Sequence, residues 1–175
     1  MIEYNLNTEN INEWVTTLKV GDIVNLSGYI YTARDAAHKR IFQALDDGVE
    51  VPFEILNSVV YYAGPTPSKE GLAIGSVGPT TSSRMDSFSP RLISLGQKAM
   101  IGKGNRSEEV VNAIKEHGAV YFAAIGGAGA LYSRCVKTCE VIAFDDLGCE
   151  SVKKLKVDKF ALIVAIDSEG NSLYK

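Results

Sequence analysis

Leu72-Ala73-Ile74-Gly75-Ser76-Val77-Gly78-Pro79-Thr80-Thr81-Ser82-Ser83-Arg84-Met85-Asp86 is the stretch on which the reading of this chain turns. Its first residues, Leu72 to Val77, are apolar and short, the length of a buried strand. Pro79 starts the next turn, and Thr80 or Thr81 is suited to cap a helix carrying Arg84. A strand-to-helix corner of this kind presents hydroxyls, free backbone N–H groups and a guanidinium together. Such a place suits an anion, and a carboxylate matches the planar fork of arginine. An ordinary capped helix with a solvated Arg84 fits the same residues, so the local pattern leaves both readings standing.

Outward from this stretch, strands and helices alternate. Asp22 to Ala33 reads as a long strand with Val24, Leu26, Gly28 and Ile30 on one face, and it delivers Arg34, Asp35 and His38 at its end. Asp35 is placed to cap a helix with Ile41, Phe42 and Leu45 on one side, closed by Asp46-Asp47-Gly48. Val59 to Tyr62 is a buried strand ending at Gly64-Pro65. Ser82 to Leu95 reads as a helix bent or split at Pro90. Lys98 to Ile101 is a short strand leading into Gly102-Lys103-Gly104-Asn105. Ser107 caps a helix that begins with Glu108 and Glu109, where carboxylates favour the dipole, and stops at Gly118. Val120 to Ile125 and Phe160 to Ile166 complete the strands. Apolar runs this continuous do not suit a sheet with one wet face, so the class is α/β, with a mixed sheet.

The chain has 175 residues, 46% hydrophobic and 22% charged, and reads as one globular domain over residues 1–175. No apolar run approaches a bilayer span, and Met1-Ile2-Glu3-Tyr4-Asn5-Leu6 has no basic-then-apolar pattern, so no membrane is expected and the cytoplasm is the expected location. A formal net charge of −3 argues against nucleic acid, which needs a basic face. Cys135, Cys139 and Cys149 are odd in number for disulfides and sufficient in principle for a cluster. However, Cys135 and Cys139 flank a strand-like segment without a Cys-x-x-Cys clip, and the expectation is buried structural thiols.

Several motifs, in order, resemble one family. Gly78 to Asp86 resembles the signature of the C-terminal part of class I fumarases and of the beta subunits of related iron–sulfur hydro-lyases, including L-tartrate dehydratase. Ala33-Arg34-Asp35-Ala36-Ala37-His38 resembles that family's Arg-Asp-x-x-His motif. Tyr61-Tyr62-Ala63-Gly64-Pro65, Ile101-Gly102-Lys103-Gly104-Asn105-Arg106 and Ile125-Gly126-Gly127-Ala128 resemble its tyrosine-rich turn, its Lys-Gly-Asn loop and its later glycine turn. The match runs from about Gly21 to Tyr174, nearly the whole chain. The resemblance implies the swivelling β/β/α fold, in which a sheet packs on a sheet and helices cover the outside. It also implies a four-iron four-sulfur cluster held by a partner alpha subunit and not by this chain. On that reading the chain is a beta subunit, inactive without its partner, which forms a heterotetramer with it or a homodimer alone.

Adding water across an activated double bond needs carboxylate clamps and a proton donor or acceptor near carbon. Arg34, Arg84 and Lys103 each follow a strand end beside small residues and suit the clamping role. By resemblance they correspond to substrate-carboxylate residues, and Thr80 to a hydroxyl proposed as catalytic base, with Lys103 also catalytic. The adjacent hydroxyl of Thr81 and the amide of Asn105 join the binding set. Asp35, His38 and Asp86 are expected to support these residues, Asp35 and His38 as a pair on one helix face and Asp86 through Arg84 or a neighbouring loop. No metal ligand is expected in the chain. The run Gly102 to Ser107 and the pair Met85-Asp86 look more like fumarase than tartrate dehydratase, so the expected substrate is fumarate. The alternatives are L-tartrate or a related hydroxy diacid, and a non-catalytic scaffold. A phosphate-binding loop is excluded, because Lys103 is followed by Gly104 rather than Ser or Thr.

Overall fold

The structure is a computed structural model and describes residues 1–174. Its strands are β1 (Glu3–Asn7), β2 (Ile23–Thr32), β3 (Val59–Tyr61), β4 (Ala99–Gly102), β5 (Val120–Ala123), β6 (Val136–Ala143) and β7 (Val152–Ile166). Its helices are α1 (Ile11–Trp14), α2 (Asp35–Asp47), α3 (Ser89–Ser94), α4 (Glu108–His117) and α5 (Gly129–Cys135). Strands β1 to β5 run parallel in sheet order. Antiparallel β7 pairs with both β5 and β2, so β2, β3, β4, β5 and β7 close into a five-stranded ring. The length of β7 permits this. One edge follows β2 from Lys153 to Ile163, while the other serves β6 first and β5 last.

Two apolar clusters explain why the strands alternate as they do. Val59, Tyr61, Ala99, Ile101, Val120 and Phe122 join Val24, Leu26 and Ile30 in one cluster, inside the ring. The intervening residues Val60, Tyr62, Met100 and Tyr121 belong to the other, with Ala37, Ile41, Leu92, Ile93, Val110 and Ile114 from the covering helices. Both faces of β3, β4 and β5 are therefore dry, which is why those strands are apolar without a polar alternation. The mixed α/β class with outer helices is the architecture found. Its strands form a single sheet rolled shut, a closure that depends on β7.

Several local expectations need correction. Leu72 to Val77 is not a strand. Its carbonyl and amide groups are taken by a loop, with Thr66 N–H donating to Ser76 O at 3.0 Å and Val77 N–H to Gly129 O at 3.1 Å. Ile74 and Val77 are buried as plugs against the inner cluster. The segment after it is a short 3-10 turn, Ser82–Met85, preceded by Thr81, whose side chain makes no capping bond. The expected split at Pro90 is found: the turn ends at Met85 and α3 begins at Ser89, with Pro90 in its first turn, where its missing N–H costs nothing. The residue preceding α2 is Arg34 rather than Asp35, which is the first helical residue. The last long strand begins at Val152, eight residues before the expected Phe160.

Candidate functional site

Parallel strands put their carboxyl ends on one rim, and the chain leaves β2, β3, β4 and β5 there. Arg34 follows β2, Tyr62 to Gly64 follow β3, Lys103 follows β4, and Ile125-Gly126 follow β5. The start of antiparallel β7 brings Cys149 and Glu150 to the same rim. Parallel sheets, open or closed, collect ligands at such carboxyl ends because loops and free amides converge there.

The signature segment is stitched across this rim. Thr80 N–H donates to Tyr62 O at 2.7 Å, Ser82 N–H to Lys103 O at 2.9 Å, and Lys103 N–H to Thr80 O at 3.4 Å. Thr81 and Lys103 thus pair as an isolated parallel bridge, which sets Thr80, Thr81 and Lys103 side by side. Gly102 is required at this crossing. A Cβ there would lie 1.9 Å from Ser82 Oγ, so only glycine lets the two segments touch. Beneath, the Tyr121 hydroxyl lies 2.9 Å from Ser82 Oγ and donates to Gly104 O at 2.8 Å. Lys103 is exposed, and among the described residues no carboxylate pairs with it.

Arg34 and Arg84 converge through Asp35. Arg84 Nε donates to Asp35 Oδ1 at 3.0 Å, and Arg34 lies 3.9 Å from Asp35 Oδ2. Arg34 packs on Gly64, where a Cβ would meet its Cδ and terminal nitrogen at 3.1 Å. Two polar atoms here are buried without a hydrogen-bond partner, Arg34 Nε and Asp35 Oδ2. Buried polar atoms are nearly always satisfied, so this pair calls for an explanation. Arg84 commits its Nε to Asp35 and is 53% exposed on its side chain.

The supporting residues behave differently from expectation. His38 is fully buried and does not pair with Asp35. Its Nδ1 donates to Arg34 O at 2.8 Å, an assignment fixed by the carbonyl being acceptor only. Burial holds its pKa down to about 4, so it is neutral and serves the turn that carries Arg34. Asp86 makes no hydrogen bond or ion pair with Arg84. It accepts from Arg106 Nε and from Ser107 N–H, both at 2.6 Å. Arg106, whose side chain is fully buried, also donates to Ser89 Oγ at 2.7 Å and lies over the Tyr62 and Tyr121 rings. Asn105 is exposed and its side-chain oxygen accepts from Arg106 N–H. The arginine at 106 and the tyrosine at 121 were not singled out from the sequence, nor was Glu150, 3.7 Å from Arg34 Nε. Arg106 stands directly after the Lys-Gly-Asn loop, which is the one signal that pointed its way.

Contrary to expectation none of the three thiols is buried, and although Cys139 and Cys149 line one cleft, the three do not meet. Cys135 Sγ lies 3.9 Å from Leu131 O, Cys139 sits on β6 opposite Leu155, and Cys149 is exposed before β7. Among the described residues no three His, Cys, Asp or Glu side chains converge to hold a metal ion. This donor set does not fit an iron–sulfur cluster. Among the same residues no helix is long and apolar enough to cross a membrane.

The profile of the family described as Fumarase C-terminus matches residues 1–175. A protein of Methanocaldococcus jannaschii named "Putative L(+)-tartrate dehydratase subunit beta" is 44% identical over 167 residues, covering 92% of this chain and 86% of its own length. "Fumarate hydratase 2" of Leishmania major is 38% identical, covering 95% of this chain and 30% of its own length. "Fumarate hydratase class I, aerobic" of Escherichia coli K12 is 35% identical, covering 99% and 32%. The chain therefore spans about a third of the length of the two fumarate hydratases and most of the tartrate dehydratase subunit.

Proposed function

This chain belongs to the Fumarase C-terminus family, and from that membership we propose that it is the beta subunit of a two-chain hydro-lyase. As one domain of the swivelling β/β/α type, it supplies carboxylate clamps and a hydroxyl to an active site shared with an alpha subunit. The reaction is the reversible addition of water to a four-carbon dicarboxylate, fumarate to L-malate. The observation that carries this reading is the convergence of Arg34, Arg84, Thr80, Thr81 and Lys103 on one rim. A scaffold has no physical need for three cations placed on one rim.

In this reading Arg34 and Arg84 grip the two ends of a dianion by planar, two-pronged hydrogen bonding, and Lys103 adds a compact charge. Asp35 holds Arg84 by Nε, which leaves its terminal nitrogens for the ligand. Thr80 lies beside Lys103, its carbonyl accepting from the Lys103 amide, and is assigned the hydroxyl role. A threonine hydroxyl is a poor base unless another group takes its proton. His38 is not that group, because it is buried and faces the Arg34 carbonyl. The acceptor is assigned to the alpha subunit, as is the cluster, since the thiols of this chain do not converge.

A second reading, dehydration of L-tartrate, is favoured by the name, matching length and 44% identity of the M. jannaschii relative. Asp86 no longer bears on the choice, because it is committed to Arg106 rather than to the site. Both substrates are four-carbon diacids, and the clamps serve either. The test of the site itself is Arg84→Lys in the assembled enzyme. Loss of the fork lowers kcat/KM by about tenfold or more with folding intact; an unchanged rate removes Arg84 from the site.

A further inference from the structure

Lys153 is the second residue of β7, faces inward, and is only 8% exposed. Its ammonium donates to the carbonyls of Gly148 at 3.2 Å, Cys149 at 3.3 Å and Ser151 at 3.3 Å, and to Ser151 Oγ at 2.7 Å. An ammonium has three protons, so four acceptors are shared among them. A lysine desolvated in this way is costly, and a hydrophobic residue would fill the space without that cost. Its use is to gather the carbonyls at the end of the 3-10 turn Asp145–Glu150. Packing does not hold that turn, because none of its residues is buried. Its other flank opens on a cleft of about 410 Å³ lined by Pro65, Thr66, Ile74 and Cys139.

What the turn carries lies against Arg34. Cys149 O approaches Gly64 so closely that a Cβ there would be 3.2 Å away, and Arg34 lies equally near that position, its Cδ and a terminal nitrogen at 3.1 Å. Glu150 Oε1 lies 3.7 Å from Arg34 Nε and 3.5 Å from the Ala36 amide in the first turn of α2. We propose that Lys153 and Glu150 are positioning residues for Arg34: the buried ammonium fixes the turn, and the turn's carboxylate aims the guanidinium at the site. This rests on the reading of Arg34 as a substrate clamp.

The test is steady-state kinetics of the assembled two-chain enzyme on its dicarboxylate, with R34Q, E150Q, K153M and the double variant R34Q/E150Q. E150Q keeps the size of the side chain and is partly exposed, so it folds even where K153M does not. The expected result is that E150Q raises KM by about tenfold, more than it changes kcat, without lowering Tm. The double variant is then no worse than R34Q alone, since Glu150 acts through Arg34. A folded E150Q with an unchanged KM, or losses that multiply in the double variant, overturns the inference while a damaging R34Q leaves the clamp standing. A silent R34Q overturns the clamp, and the inference with it.

Discussion

His38 shows how a residue of catalytic type becomes a structural one. Its ring is enclosed by Tyr62 and Phe88, with centroids 5.6 and 5.4 Å away, and burial is the main cause of its lowered pKa. The neighbouring Arg106 cation opposes its protonation further, while the Arg34 carbonyl only partly offsets this. The unfolded chain binds a proton at His38 near pH 6.5, whereas the folded chain does so only near pH 4. Between those values the unfolded state holds more protons, so stability is full above pH 6.5 and falls as the pH drops towards 4. Urea denaturation of wild type and His38→Asn across that window checks this. Asn replaces the donor to Arg34 O but not the titration, so the variant is expected to lack that part of the slope. Identical slopes would mean that His38 titrates alike in both states. From sequence, His38 and Asp35 looked like a pair because they are three apart on a helix. The register was right, but the carbonyl of Arg34 lay nearer, and a main-chain acceptor leaves no trace in a sequence pattern.

At the scale of elements, the site is held by the lattice of bonds joining the 3-10 turn Ser82–Met85, the Lys103 loop and the start of α4. Asp86 is its keystone, since it accepts from Arg106 and from the Ser107 amide. Asp86→Asn leaves a fully buried guanidinium without its counter-charge, a loss worth about 3–5 kcal/mol. Guanidinium denaturation is expected to show that drop. A change under about 1 kcal/mol would mean that the Tyr62 and Tyr121 rings and Ser89 suffice for Arg106. Alternation made β2 legible, a continuous apolar run β5, the Ser107 cap α4, and an apolar side closed by Gly48 α2. Leu72 to Val77 was misread because an apolar run of six residues serves a plugging loop as well as a strand, and only the Thr66 and Gly129 bonds decide. Short α1 and α5 and edge strand β1 carry too little periodicity to stand out.

The whole molecule is a rolled sheet whose closure rests on β7, and that closure was not readable from any local pattern. The rim at the carboxyl ends was legible as a set of motifs. Its assembly from loops far apart in sequence, above all the turn bearing Glu150, was not, because no motif marks a residue that acts through a neighbour. Among the described residues no set of three thiols or other metal-ligating side chains converges. Changing Cys135, Cys139 and Cys149 together to Ser is therefore expected to leave the iron content of the assembled enzyme unchanged, measured on the purified complex. Iron lost from a folded triple variant would place the cluster on this chain. The central claim is that the site is completed by a second subunit. Anaerobic hydration of fumarate, measured for this chain alone and then with a reconstituted cluster-bearing alpha subunit, tests it most directly. The account predicts no turnover from the chain alone and turnover from the mixture, whereas activity of the chain by itself, or a verified complex inert towards both fumarate and L-tartrate, would contradict it.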